Sequence, residues 1–185
     1  MFLSEVEDFR TLYVDPGEDT GWCLSSGNIL ISAGTTKLWP FADDVWAELE
    51  SPGGIAGLND PSLFRDTCGL DAADELSKPI NRVVCEDFRI YPWVARNGDL
   101  DWDQVRTARL IGALTFMARL KGIDFFVQGA KIKERAEAGG AQELFYNPLK
   151  ENRHQNDAIM HYTYFTQIGP DDGSVASRVT YAEAV

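Results

Sequence analysis

The stretch that decides the fold lies near the amino terminus and reads Thr11-Leu12-Tyr13-Val14-Asp15-Pro16-Gly17-Glu18-Asp19-Thr20-Gly21-Trp22. Residues 12–14 are typical of a buried strand, Pro16-Gly17 is a strong turn signal, and a second apolar run follows Thr20-Gly21. The pattern predicts that a sheet presents Asp15 at the end of a strand. A carboxylate placed there suits a metal ligand or a phosphate-handling residue. Asp is also common in turns that have no function, so partner residues elsewhere in the chain must decide whether Asp15 is a functional carboxylate or only a turn residue.

Size and composition indicate one globular domain spanning residues 1–185. The 185 residues are 44% hydrophobic and 25% charged, which is typical of a folded protein long enough to bury a core. No apolar run approaches the ~18 residues that a membrane span needs, and the acidic opening does not resemble a secretory signal. The three cysteines are odd in number and lack C-x-x-C spacing. We therefore expect a cytoplasmic protein with no disulfide framework, zinc site or membrane partner.

The charge is large and unevenly spread. A net charge of -12 argues against a protein that simply coats nucleic acid, because Lys and Arg make the phosphate contacts. Residues 1–60 carry 11 acidic side chains and only 2 basic ones, whereas residues 89–153 carry 11 basic and 8 acidic ones. Any surface for nucleic acid is therefore expected in the second half of the chain.

Hydrophobic periodicity and turn residues predict an α/β domain with a mixed five-stranded sheet. The first three strands have short connections, so we expect an antiparallel meander. The longest helix signal covers residues 101–121, with Asp99 or Asp101 as N-cap, and its segment 110–120 is apolar on nearly every side, which predicts burial. Residues 60–77 are expected to be helical with interruptions, 91–100 to be a loop, and 131–138 to be a short polar helix or loop. The predicted strands cover residues 10–14, 21–24, 29–38, 82–88 and 124–128, and the remaining helices cover residues 41–50 and 152–167.

Two of these strands end in carboxylates, at Asp15 and at Glu86. If the strands are neighbours and parallel, which a right-handed crossover permits, both carboxylates meet at one edge of the sheet. The last helix offers His154 and Asp157, which are three positions apart and share a helix face. The four residues can converge on a divalent metal site, where carboxylates suit Mg²⁺ or Mn²⁺ and Mn²⁺ tolerates imidazole better.

Such a cluster can hydrolyse a phosphodiester, since two ions ~3.5–4 Å apart activate a water molecule and stabilise the attacking and leaving oxygens. Each residue also has a structural alternative. Glu86 can form a salt bridge, Asp157 can cap a helix, and His154 can be a surface residue. The metal-site hypothesis depends on the four residues acting together.

Three motifs resemble those of RuvC-type Holliday junction resolvases. Asp15-Pro16-Gly17 with Thr20-Gly21-Trp22 is similar to their first motif, the strand ending in Glu86 to their second, and His154-Gln155-Asn156-Asp157-Ala158 to their final His-x-x-Asp-Ala. The segment Glu86-Asp87-Phe88-Arg89-Ile90-Tyr91-Pro92-Trp93 resembles RuvC-like proteins of bacteriophages in particular. Order and spacing agree from about residue 10 to residue 165.

The resemblance implies an RNase H-like fold in which the strands of Asp15 and Glu86 are adjacent and parallel. It also implies a Mg²⁺-dependent endonuclease, with Mn²⁺ able to substitute and two ions per site. Such an enzyme binds branched DNA as a homodimer and makes paired nicks across four-way junctions, leaving 5′-phosphate ends. Asp15, Glu86, His154 and Asp157 would be its catalytic and metal-binding residues. The bacteriophage branch implies action in the cytoplasm of a bacterial host.

Four basic residues are candidate DNA contacts: Arg89, Lys131, Lys133 and Arg135. Family members carry basic residues after the fifth strand, where the last three of these lie, although a solvated helix face explains the same pattern. Cellular resolvases carry an aromatic wedge after the second motif, and Arg89 stands at that spacing here, so no wedge residue is assigned. The acidic balance and the long connection at residues 40–77 also differ from the family.

Three other functions fit parts of the sequence. An RNase H-like ribonuclease would keep the fold and the metal site but cut RNA in RNA–DNA hybrids. ATPases of the actin and sugar-kinase type also use an Asp-x-Gly…Thr turn, but no second such turn follows here. A non-catalytic interaction protein, such as a DNA mimic, suits the acidic first third but has no need for carboxylates at two strand ends.

Overall fold

A computed structural model describes residues 10–52, 78–88, 101–144, 153–168 and 176–178 of the chain. Its elements are, in order, β1 (Arg10–Asp15), β2 (Asp19–Ser26), β3 (Ile29–Lys37), α1 (Leu38–Glu50), β4 (Ile80–Glu86), α2 (Trp102–Lys121), β5 (Asp124–Gln128), α3 (Ile132–Ala138), a 3₁₀ turn (Ala141–Leu144), α4 (Arg153–Ile168) and β6 (Ala176–Arg178). The helical segment expected at residues 60–77 and the loop expected at 91–100 lie outside the described residues.

The strands form one mixed sheet in the order β3-β2-β1-β4-β5-β6. Strands β1, β2 and β3 are antiparallel, β4 runs parallel to β1, and β5 runs parallel to β4. This confirms the predicted α/β class, with three antiparallel strands followed by parallel ones. The three-residue β6 pairs antiparallel with β5 and adds a sixth strand that the sequence pattern did not predict.

The alternation of side chains along the central strands determines which residues face α4. In β1, Leu12 packs in the core beneath α1 and α2, whereas Tyr13 packs in the core beneath α4. Successive side chains of a strand point to opposite faces, so Asp15 lies on the same face as Tyr13. Glu86 and Gln128 likewise stand two positions beyond core residues on the α4 side. The ends of all three strands therefore point polar side chains toward α4.

Helix α2 begins after Asp101, one of the two predicted N-caps, whose side chain accepts a hydrogen bond from a first-turn backbone amide. The prediction that residues 110–120 are largely buried is wrong, because Phe116 is 60% exposed and Leu120 is 56% exposed. The helix contacts the core along one stripe only, and the buried members of that segment are Leu110, Leu114 and Ala118. None of the helices that the structure describes combines the length and apolar character needed to cross a membrane.

Candidate metal centre

Three parallel strands end at one edge of the sheet, and each ends in a side chain that carries oxygen. Asp15 ends β1, Glu86 ends β4, and Gln128 ends β5 and pairs directly with Glu86 in the strand register. Asp15 and Gln128 are buried, and Glu86 is partly buried. Because β1 and β4 run parallel, Asp15 and Glu86 lie at the same edge of the sheet, as the sequence predicted.

Helix α4 reaches this edge because β2 has no side chain at Gly21. A Cβ atom at Gly21 would overlap the backbone carbonyl group of His154 and would lie 2.6 Å from the backbone nitrogen of Gln155. Only glycine allows two backbones to approach so closely. The Thr20-Gly21 part of the first motif therefore brings the first turn of α4 against the carboxylates.

One face of α4 carries three ligand-type residues, His154, Asp157 and His161, at positions i, i+3 and i+7. The Nδ1 atom of His154 lies 2.7 Å from Oδ2 of Asp15. The Nε2 atom of His161 lies 3.0 Å from Oε2 of Glu86. The four residues predicted from the sequence are thus brought together, and His161 joins them.

His161 and Gln128 were missed by the sequence analysis. His161 follows Asp157 by four positions and His154 by seven, so the helical period that paired the first two residues also pointed to the third. The signal for Gln128 was weaker. It is the last residue of a predicted strand that runs beside the strand of Glu86, but an amide is not a typical ligand at such a position.

The ammonium group of Lys133, on α3, lies among three carboxylates. Its Nζ atom is 2.9 Å from Oδ2 of Asp157, 3.0 Å from Oε2 of Glu86 and 3.7 Å from Oδ1 of Asp15. This residue was predicted as a DNA contact, and the structure places it inside the acidic cluster. The charge of this ammonium group therefore lies among three carboxyl groups.

Burial and mutual repulsion push the pKa values of the two strand-end carboxyl groups apart. Burial raises the pKa of Asp15, and the neighbouring Glu86 carboxylate raises it further, against the hydrogen bond from His154 and the charge of Lys133. Burial also acts to raise the pKa of Glu86. Hydrogen bonds with His161 and Asp15 and the charge of Lys133 outweigh it, so the pKa of Glu86 lies well below its usual range. Two adjacent carboxylates that cannot both ionise at low cost favour a bound cation.

The pKa values of two basic groups of the cluster, His154 and Lys133, are both raised. The hydrogen bond with Asp15 raises the pKa of His154 and outweighs the opposing effect of partial burial. Burial acts to lower the pKa of Lys133, but the charges of Asp15, Glu86 and Asp157 raise it above its usual range. Both side chains therefore hold a proton more tightly beside these carboxylates than they would in water.

The donor set fits a divalent cation. Two groups of ligand atoms, each within 4.8 Å of one another, share Asp15: one adds His154 and Asp157, and the other adds Glu86 and His161. Neighbouring ligands of an octahedral ion with bonds of ~2.1 Å lie ~3.0 Å apart, close to the 2.7 Å and 3.0 Å of the two histidine–carboxylate contacts. The Lys133 ammonium group lies 3.0 Å from Oε2 of Glu86 and 2.9 Å from Oδ2 of Asp157, so the same oxygens already pair with a positive charge. Carboxylates with imidazole suit Mn²⁺ and Mg²⁺.

The other predicted DNA contacts lie outside this cluster or outside the described residues. Lys131 is exposed at the start of α3. Arg135 is also exposed, and its Nη1 atom donates to the hydroxyl group of Tyr164 at 3.4 Å. Arg89 lies outside the described residues.

The fold is similar to that of RuvC from Thermus thermophilus. A structure of that protein in complex with a Holliday junction substrate aligns with a TM-score of 0.52 and 12% sequence identity, over 87% of this chain and 96% of that chain. A second Thermus thermophilus RuvC structure aligns with a TM-score of 0.48 and 13% identity, over 92% of this chain and all of that chain. No protein-family model matches the sequence, and no curated protein matches it. The first likeness shows a RuvC-like, RNase H-like fold.

Proposed function

We propose that the protein is a metal-dependent endonuclease that resolves four-way DNA junctions by paired phosphodiester hydrolysis. The observation that carries this proposal is the convergence of Asp15, Glu86, His154 and Asp157, from three separate elements, at one edge of a RuvC-like sheet. The similar RuvC structure is of a complex with a Holliday junction substrate, which supports branched DNA as the substrate class. A fold alone does not determine a reaction, so the residues of the site carry the proposal.

The carboxylates and histidines of this chain would hold Mg²⁺ or Mn²⁺, with two ions sharing Asp15. Such a cation, when bound, lowers the pKa of a water molecule and neutralises charge that develops on the phosphate in the transition state. His154 stands at the edge of the site with 41% of its side chain exposed, where it can exchange a proton with the reacting groups. Lys133 would contact the phosphate once cations balance the carboxylates.

Cations bound by the acidic cluster would allow a chain with a net charge of -12 to act on DNA. Three carboxylates at the site repel a phosphodiester unless positive charge is added. Junction binding at the site is therefore expected to strengthen when a divalent cation is present. Lys131, just before α3, and Arg135, on α3, are both exposed and are proposed as further contacts to the DNA backbone.

The remaining features of the proposal follow from the motifs that resemble the RuvC family. The enzyme would be a single domain over residues 1–185, encoded by a bacteriophage, and active in the cytoplasm of the bacterial host. It would act as a homodimer, because paired nicks need two active sites. The exposed apolar side chains of Phe116 and Leu120 on α2 support a surface that a second copy covers.

The proposal is tested with the variant Asp15→Asn and the matched control Asp124→Asn. Asp124 begins β5, so it lies at the opposite edge of the sheet from the cluster. We expect Asp15→Asn to lose cleavage of a synthetic four-way junction while it still binds the junction, and Asp124→Asn to keep both. Cleavage by Asp15→Asn at the wild-type rate would remove this site from the reaction.

A further inference from the structure

His161 is a buried titratable residue that the predicted set of ligands does not use. Its side chain is fully buried, at 0% exposure, in the middle of α4. Its two ring nitrogens have one partner each: Nδ1 lies 2.8 Å from Oε1 of Gln128, and Nε2 lies 3.0 Å from Oε2 of Glu86. Both partners are at the ends of parallel strands, so the sheet holds the ring between two fixed points.

The contact with Gln128 determines which nitrogen faces the metal centre with a free electron pair. An amide oxygen can only accept a hydrogen bond, so Nδ1 carries the proton and donates to Oε1. In the neutral ring, Nε2 then has an unshared electron pair that is directed at Glu86. Ligating histidines in metalloproteins commonly donate their other ring N–H to an oxygen in this way.

An electron pair on Nε2 and a carboxylate oxygen only 3.0 Å away repel each other unless positive charge lies between them. That charge can be a proton on Nε2, which makes the hydrogen bond to Glu86, or a cation bound by both groups. The Lys133 ammonium group, 3.0 Å from the same Oε2 atom, adds positive charge beside the pair but is not held by Nε2. Asp15 completes the second arrangement, because its carboxylate, Glu86 and His161 offer ligand atoms within 4.8 Å of one another. The separate group that contains His154 and Asp157 shares only Asp15 with it.

We infer that His161 is itself a metal ligand, which binds a divalent cation through Nε2 together with Asp15 and Glu86, while Gln128 orients its ring. The inference rests on the proposed function for the presence of the metal. It assigns a ligand of the second cation to His161, which lies outside the three motifs that resemble the RuvC family. Histidines would then serve both cation positions, His154 at one and His161 at the other. Such a donor set favours Mn²⁺ over Mg²⁺.

Magnetic resonance of bound Mn²⁺ tests this assignment directly. The chain has only two histidines, so in the variant His154→Gln every imidazole signal comes from His161. The variant is labelled with ring-¹⁵N histidine, and a Mn²⁺ binding isotherm fixes the occupancy. We expect pulsed electron paramagnetic resonance to show direct coupling between Mn²⁺ and ¹⁵N. Bound Mn²⁺ without that coupling would overturn the inference.

Variants of Gln128 test the orienting role with the full-length protein. Gln128→Leu removes the acceptor of the Nδ1 proton, and loss of such a partner typically weakens metal binding by about 10–100-fold. Gln128→Glu keeps an acceptor oxygen and is expected to retain Mn²⁺ affinity and the ¹⁵N coupling. Equal Mn²⁺ affinity in wild type and Gln128→Leu would contradict the role given to Gln128.

The outcome separates the inference from the proposed function. If Mn²⁺ binds, junctions are cleaved and no ¹⁵N coupling appears, the nuclease stands and His161 only supports Glu86 by a hydrogen bond. If Mn²⁺ does not bind to the folded wild-type protein at all, both the ligand assignment and the metal-dependent nuclease fail.

Discussion

His154 Nδ1 and Asp15 Oδ2 lie 2.7 Å apart, although 139 positions separate the two residues in the chain. The contact joins the end of the first strand to the first turn of the last described helix. It also couples the charge of the imidazole ring to the most buried carboxylate of the site.

The first prediction concerns the titration of His154. Because the hydrogen bond with Asp15 raises its pKa, the protonated ring stabilises the fold. This stabilisation is complete below the unfolded-state pKa of ~6.5 and is lost as the pH rises through the higher folded-state pKa. Nuclear magnetic resonance of the metal-free protein, which has two histidines, measures the shift. In Asp15→Asn the pKa of His154 is expected to fall toward its ordinary value, and an unchanged pKa would contradict the coupling.

The second prediction concerns Lys133, whose ammonium group faces three carboxylates. Lys133→Ala leaves them without this charge, so we expect the metal-free protein to lose about 1–3 kcal/mol of unfolding free energy. The control is Lys131→Ala, an exposed residue immediately before the same helix, which should leave stability unchanged. Chemical denaturation in chelator measures both.

Divalent cations should restore more stability to Lys133→Ala than to the wild type, because binding to the folded state replaces the missing charge. Equal stability of Lys133→Ala and wild type in chelator would show that the negative charge of the carboxylates is neutralised by groups other than Lys133. A loss that Mn²⁺ does not reverse would show that Lys133 supports the packing of α3 rather than the charge of the site.

The third prediction concerns Gly21, on which the first turn of α4 rests. Gly21→Ala places a methyl group against the backbone of His154 and Gln155, so α4 must shift away from β2. We expect weaker Mn²⁺ binding and a loss of about 2 kcal/mol or more of unfolding free energy. Gly112→Ala is the control, since a Cβ atom there meets nothing within 4 Å and α2 gains up to ~1 kcal/mol. Wild-type metal affinity in Gly21→Ala would show that the close approach does not position the ligands.

The fourth prediction concerns the exposed apolar face of α2. If a second copy covers it, Leu120→Glu places two charges in the interface, and loss of leucine burial in both copies weakens the dimer by about 100-fold or more. Ala138→Glu adds the same side chain at an exposed position on α3 and serves as the control. Light scattering measures the molar mass. A monomeric wild type, or a Leu120→Glu variant that remains dimeric, would exclude this face as the dimer surface.

The sequence predicted the parts of this molecule that depend on local pattern. Asp15 and Glu86 could be placed at one edge because parallel strands end together, and His154 and Asp157 on one face because of the helical period. The burial of residues 110–120 could not be judged in this way. Periodicity reports which residues are apolar, whereas exposure depends on what packs against each side of α2.

Other features of the molecule also depend on packing between distant parts of the chain. Lys133 was predicted as a DNA contact from its charge, and that stays a prediction. Its place among the carboxylates could not be read from the sequence, because it depends on how α3 packs beside α4. Strand β6 is only three residues long, too short to show an alternating pattern. His161 was missed for a different reason, because its helical spacing from Asp157 was visible in the sequence and was not used.

The most direct test of the central claim is cleavage of a labelled synthetic four-way junction by the wild-type protein. A linear duplex of the same sequence and an RNA–DNA hybrid serve as matched substrates, each with Mg²⁺, with Mn²⁺ and with chelator. The proposal predicts metal-dependent nicks at symmetric positions on opposing strands of the junction, with 5′-phosphate ends that a ligase can seal, and no comparable cleavage of the duplex. Absence of junction cleavage by folded protein with either ion, or cleavage of the hybrid alone, would contradict it.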